Sequence, residues 1–154
     1  MSRILVWRGL DAPRMEIARI EGTDDALHAN GTQIGVAYEL RYELEPEVLR
    51  LEVVGERRLD VELEGRDFFD LAFSPLLNSL PVLRDRLLSD GPARDYVMRF
   101  ISVPELEVVD AEQRYEPLGA RRVRFRSGDF AADIDFDDQG FVVRYEGLAE
   151  RLDE

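Results

Sequence analysis

Asp133, Asp135, Asp137 and Asp138 crowd one short stretch, and alternate acids near a glycine are what a calcium loop uses. The spacing fails that test. An EF-hand loop wants glycine at its sixth position and glutamate at its twelfth. Counted from Asp133, glycine falls at the eighth (Gly140) and the twelfth is Arg144. The stretch reads instead as a charged strand face running into a turn. The chain has one histidine, His28, and no cysteine, which removes thiolate nucleophiles, disulfides and imidazole- or thiolate-rich metal sites. A Ser-His-acid triad would have to use His28, and no G-x-S-x-G elbow supports one. Neither G-x-G-x-x-G nor a phosphate-cradling P-loop is present. Carboxylate pairs suited to acid–base chemistry exist in abundance among 33 acids, so geometry rather than sequence has to select one. No catalytic residue, cofactor or metal is expected from these observations.

Arg121, Arg122, Arg124 and Arg126 form the one basic cluster. Arg122, Arg124 and Arg126 share a strand face opposite Val123 and Phe125, a solvated face balancing nearby acids. All 20 basic residues are arginine, against 33 acids, for a net charge of −13. Such a balance disfavours nucleic acid and anionic membrane surfaces as partners. A lysine-free acidic surface fits a halophile, whose salt mutes self-repulsion. Arginine codons of a GC-rich genome give the same bias, and hyperthermophily fits less well. No apolar run approaches a membrane span and no leader-type segment opens the chain, so a cytoplasmic location without stable membrane insertion is expected. Hydrophobic residues make up 45% of the chain, enough to exclude disorder, and its length suits one domain over residues 1–154.

The elements that must position any site have period two. Val36, Tyr38, Leu40, Tyr42 and Leu44 alternate with polar or small residues. The pattern recurs at Leu49–Val53, Leu59–Leu63, Tyr96–Phe100, Phe130–Phe136 and Phe141–Tyr145. Short joints such as Glu45-Pro46-Glu47 and Asp137-Asp138-Gln139-Gly140 make an antiparallel meander. Asn30-Gly31 reads as a hairpin turn, Met15, Ile17 and Ile20 as marking an early strand, and Gly147–Leu152 as a short helical turn. The count is roughly ten strands. A one-sided sheet of that width must curl, as a barrel, roll or sandwich, and a curled sheet can enclose a ligand cavity. One segment breaks the pattern: residues 74–88, SPLLNSLPVLRDRLL, apolar and interrupted by Pro75 and Pro81. It is expected to be an irregular insert that seals one end of the sheet.

The same residues carry a family resemblance. Trp7-Arg8-Gly9-Leu10, Asp70, Ser74-Pro75-Leu76-Leu77-Asn78-Ser79-Leu80-Pro81, Arg84, Val103-Pro104-Glu105-Leu106, Gln113-Arg114-Tyr115 and Asp137-x-x-Gly140-x-Val142-x-x-Tyr145-x-Gly147-Leu148 occur in the order of a glycolipid-binding family once known as a domain of unknown function. The chain departs from that pattern at Phe68 and Leu83 and is shorter between Leu44 and Gly65. The resemblance implies a mainly β fold, a spiral β-roll similar to bacterial lipoprotein carriers, and no catalytic residues. It suggests Trp7 and Tyr145 as the wall of a ligand site, Asn78 and Arg84 at its mouth, and Asp70 paired with Arg84. A glycolipid or other amphipathic lipid held in the interior is the expected partner. A small hydrolase or isomerase with a buried carboxylate, or a solid-core interaction module, are the alternatives.

Overall fold

The computed structural model describes residues 2–24, 26–89 and 91–152. Its strands, numbered in chain order, are β1 Ser2–Gly9, β2 Met15–Thr23, β3 Ala26–Ile34, β4 Glu39–Leu44, β5 Val48–Val53, β6 Arg57–Glu62, β7 Phe68–Leu71, β8 Arg94–Ile101, β9 Val108–Gly119, β10 Arg122–Ser127, β11 Phe130–Phe136, β12 Val142–Tyr145 and β13 Ala149–Arg151. One helix, α1 Pro75–Asp85, lies between β7 and β8. All thirteen strands belong to one sheet, in the order β6-β5-β4-β3-β2-β1-β13-β12-β11-β10-β9-β8-β7. The sheet is curled and unclosed, with the short β13 at its centre, hydrogen-bonded to both β1 and β12.

The mainly β, curled architecture is as expected, with thirteen strands in place of roughly ten. Two of the extra ones are short, β7 with four residues and β13 with three, too few to display a period, and the third is β3, whose stretch was expected to hold a turn. The segment read as a helical turn is β13, held by Trp7↔Arg151 and Gly9↔Ala149 pairing on one side and Tyr145↔Ala149 on the other. One connection departs from the meander. β7 pairs with β8 in parallel, and α1 belongs to the long crossover that parallel pairing requires.

α1 explains the segment that broke the alternation. Pro75 occupies the first turn, where its missing N–H costs nothing. Pro81 sits inside the helix, and the helix carries it for barely one more turn. Arg86 then takes a left-handed conformation (φ 54°), and the Leu87 N–H bonds back to the Val82 carbonyl, a Schellman-type stop. Eight of its eleven residues are buried. A helix apolar all round belongs inside a protein, and this one lies within the curl of the sheet. It divides the interior in two. Leu76, Leu77 and Leu83 join a core with Leu5, Trp7, Ile20, Leu40 and Leu49, whereas Val82 joins a second with Tyr96, Met98, Tyr115, Val123, Ile134 and Phe136.

The terminal strands β6 and β7 do not pair with one another in the sheet order. Arginines bridge the seam instead. Arg57 donates to the Pro104 and Glu105 carbonyls (3.4 and 3.1 Å), Arg99 to the Glu62 carbonyl (3.3 Å), and Arg66 to Asp110 (2.8 and 2.9 Å). Charged side chains over an edge also discourage its pairing with another chain. The basic cluster of β10 is likewise absorbed by its neighbour. Arg122 meets Asp135 (2.7 Å) and Arg124 meets Asp133 (2.9 Å) directly across the β10–β11 ladder. Asp137 accepts from Arg3 and Arg151 and from the Gln139 and Phe141 amides, which holds its carboxyl below the usual range despite partial burial.

β2 is the expected early strand, and β3 stands where a turn was expected. On β2 the inward residues are Glu16, Ala18 and Ile20, while Met15 and Ile17 face outward. Met15 lies opposite Ile34 and Ile17 opposite Val6, so the apolar residues pair on the outer surface. Asn30-Gly31 is no turn. Both residues lie within β3, paired with Arg19 and Ala18.

Candidate cleft on the inner face of β7–β12

The inward face of β7–β12 is filled along most of its length and left open at one end. At that end β9 and β10 present small residues. β8 presents Tyr96, Met98 and Phe100, and β9 presents Tyr115, Gln113 and Ala111. β10 presents Val123, Phe125 and Ser127. Ala111, Ser127 and Asn78 of α1 line a cleft of about 420 Å³. Its size lies within the range of small-molecule sites.

A ladder of edge-to-face rings crosses the sheet to this opening. Phe68, Tyr96, Tyr115 and Phe125 contact one another in sequence at centroid distances of 5.5, 5.6 and 5.5 Å. Phe125 then touches both Phe130 and Tyr145 at 6.1 Å. Phe130 is 53% exposed and stands at the rim. Across the cleft the rim is Phe73, 39% exposed, in a left-handed conformation (φ 64°). That geometry is strained for a bulky residue. The Arg14 guanidinium stacks on its ring at 4.4 Å.

The floor is polar. Asp70, on β7, accepts a 2.7 Å hydrogen bond from Gln113 Nε2. Burial pushes its carboxyl up to about 6, opposed by the Gln113 bond and the Leu71 amide. Gln113 Oε1 is buried and has no hydrogen-bond partner among the described residues. Asn78, on α1, donates 3.2 Å to the Tyr115 hydroxyl. Tyr145 is raised well above its ordinary value by burial and by the Asp70 charge beside it, so it remains a neutral phenol.

Three of the five residues singled out from the sequence therefore line one cleft: Asp70, Asn78 and Tyr145. Trp7 and Arg84 do not. Trp7 is in the first core, 1% exposed, with Nε1 donating 2.8 Å to the Val142 carbonyl. Trp7→Phe should lower stability by about 2 kcal/mol, through the lost buried hydrogen bond and lost volume. Urea denaturation followed by circular dichroism measures this. Arg84 bonds Asp85 and stacks on Phe68 at 4.2 Å, so the expected Asp70–Arg84 pair does not form. Asp70 takes its side-chain hydrogen bond from Gln113 instead.

The sequence does not single out Gln113, Phe73, Phe130 or Glu16 as site residues, although Gln113 and Phe130 belong to the family's pattern. Gln113 carried a signal, a polar residue at an inward position flanked by Ala111 and Tyr115. Glu16 lies behind the cleft wall. Its Oε2 accepts from the Ser74 hydroxyl and the Tyr42 hydroxyl, both at 2.9 Å, and it also takes the Leu76 amide at the start of α1. Ser74 does not cap the helix itself, so Glu16 supplies the acceptor from β2. Burial pushes Glu16 up to about 7 against all of these bonds.

The comparisons with known proteins agree with this architecture. Residues 52–151 match the family described as "Putative glycolipid-binding". The chain belongs to that family. The match takes in α1 and every residue named above on the floor and rim of the cleft. A crystal structure at 1.80 Å resolution of a DUF1089 family protein from Pseudomonas aeruginosa has the same fold, with a TM-score of 0.70 and 24% identity over 89% of this chain and 92% of that one. No curated protein matches the chain.

Proposed function

We propose that this member of the glycolipid-binding family is a non-enzymatic binder of a glycolipid or other amphipathic lipid, and that the cleft between α1 and β7–β12 is the site. The observation that carries the reading is the rim. Phe73 and Phe130 remain exposed beside a cavity whose other half-buried lining residues include Phe100, Ala72, Ala111 and Leu148. Hydrocarbon placed against such a surface gains about 0.8 kcal/mol per buried methylene. Two features of the expectation are revised. The ligand lies in a cleft at one end of the roll, because α1 and the two cores occupy the rest. Trp7 and Arg84 take structural roles.

Native mass spectrometry of gently purified protein, followed by titration with decyl-chain amphiphiles below their micellar concentrations, tests the reading. Phe130→Ala should weaken decyl-chain binding about tenfold, the equivalent of roughly 1.4 kcal/mol, because one ring face of contact is lost. Its melting temperature should stay near that of the parent, since the ring is half in water. A protein with no affinity for any such amphiphile would end the reading.

A second reading draws on Asp70. A buried carboxyl raised to about 6 within a cleft is what a hydrolase or isomerase would use as general acid or base. Turnover of an ester or glycoside abolished by Asp70→Asn would favour it over simple binding.

A further inference from the structure

Polarity in the cleft is inverted relative to a pocket that swallows acyl chains. Among the buried lining residues stand Asp70, Ser74, Asn78 and Gln113, each at most 8% exposed. The half-buried and exposed ones are nearly all apolar, with Phe73 and Phe130 outermost. A hydrocarbon tail driven inward would desolvate the Asp70 carboxyl and leave Gln113 Oε1 unpaired, at a cost of kilocalories for each unpaired group. A polar head driven inward meets partners. The floor is also short of donors. Gln113 Oε1 is a buried acceptor without a partner among the described residues, and Asp70 accepts one side-chain bond, from Gln113. What these oxygens lack is a hydroxyl or amine hydrogen. No arginine lines the cleft among the described residues, and Asp70 is its one acid. A phosphate on the floor would meet a carboxylate and no cation, Arg14 being stacked on the Phe73 ring at the rim.

Building on the amphiphile reading above, we infer that the cleft binds its ligand head first. A neutral, hydroxyl-rich head, a sugar ring or similar polyol, donates to Asp70 and Gln113 Oε1 and contacts Asn78, while the chain leaves across Phe73 and Phe130. The cavity is of a size for a head and the first methylenes, not for a pair of long acyl chains. Specificity then rests on the head. A site built to hydrogen-bond hydroxyls rejects a ligand lacking them, because its own buried groups are left unpaired.

Three decyl amphiphiles, each below its micellar concentration, test this by isothermal titration at pH 7.5: decyl glucoside, decyl phosphate and decanol. The glucoside is expected to bind at least tenfold more tightly than either of the others. Asp70→Asn and Gln113→Met should each weaken glucoside binding about tenfold, and Asp70→Asn should narrow the gap between glucoside and phosphate. Orientation is read on the parent protein, independently of how the variants fold. A decyl glucoside carrying a bulky fluorophore at the far end of its chain should bind as the unlabelled compound does, whereas one carrying it on the sugar should not. Equal affinity for all three decyl compounds, or a preference for phosphate, overturns the head-first inference and leaves the amphiphile reading standing. Tight binding of the sugar-labelled probe with loss of the chain-labelled one does the same. Failure of every decyl compound to bind ends both.

Discussion

Replacing Glu16 with glutamine is expected to flatten the fall in stability between about pH 5 and pH 8, and to leave the variant more stable than the parent at pH 8 by up to about 3 kcal/mol. Burial raises the folded-state pKa of Glu16 to about 7, against 4.5 for the free side chain. Between these values the folded chain holds a proton that the unfolded chain has released. Unfolding then sheds a proton, so rising pH favours the unfolded state. Below the unfolded value both states are protonated and the contribution is fully present. Above the folded value both are ionised, and the cost of burying the charge is complete. Asp70, raised to about 6, adds a second decline at slightly lower pH. Asp85 and Asp137, lowered by their partners, act in the opposite direction and lose stability only as the solution turns strongly acidic. Glutamine keeps an oxygen for the Ser74 and Tyr42 hydroxyls and the Leu76 amide, and it has no charge to bury. Urea denaturation of both proteins at pH 5, 6, 7 and 8 measures the difference in slope. Parallel stability curves would show that Glu16 is not the titrating group.

That glutamate also marks where the sequence stops being legible. The long strands announced themselves because each has one wet and one dry face, as in Leu40, Tyr42 and Leu44 on β4 or Ile134 and Phe136 on β11. On β2 the inner face is hidden in the sequence because this sheet carries apolar pairs on its outer surface, Met15 with Ile34 and Ile17 with Val6. An alternation rule then assigns the wrong face and puts Glu16 in water. The helix was illegible for a different reason. Both sides of α1 are buried, so it has no polar stripe, and its two prolines imitate a loop. Of the site, Asp70, Asn78 and Tyr145 were legible through the family's pattern, and the cleft itself was not. It exists because Ala111 and Ser127 are small at inward positions, and smallness signals a void only once the opposing surface is known.

Gly31→Ala is expected to destabilise the protein by about 3–4 kcal/mol, against the ordinary rule that alanine in a strand is better than glycine by about 0.5–1 kcal/mol. Gly31 lies opposite Tyr42 in the β3–β4 ladder. A Cβ there would stand 2.1 Å from Tyr42 Cζ and 2.2 Å from its hydroxyl oxygen. The bare backbone is what lets the Tyr42 ring lie flat across β3 and reach Glu16 on β2, two strands away. Displacing the ring breaks the 2.9 Å bond and overfills a core in which Tyr42 is only 4% exposed. A double-mutant cycle separates this from any general effect on the strand. In a Tyr42→Leu background no ring crosses the strand, so Gly31→Ala should cost less than about 1 kcal/mol. Equal costs in both backgrounds would dissociate Gly31 from Tyr42. A further consequence ties the two experiments together. Glu16 stripped of the Tyr42 hydroxyl has one fewer donor to favour its ionised form, so its pKa should rise further in Gly31→Ala. The decline in stability should then extend to higher pH than in the parent, opposite to the flattening expected of Glu16→Gln.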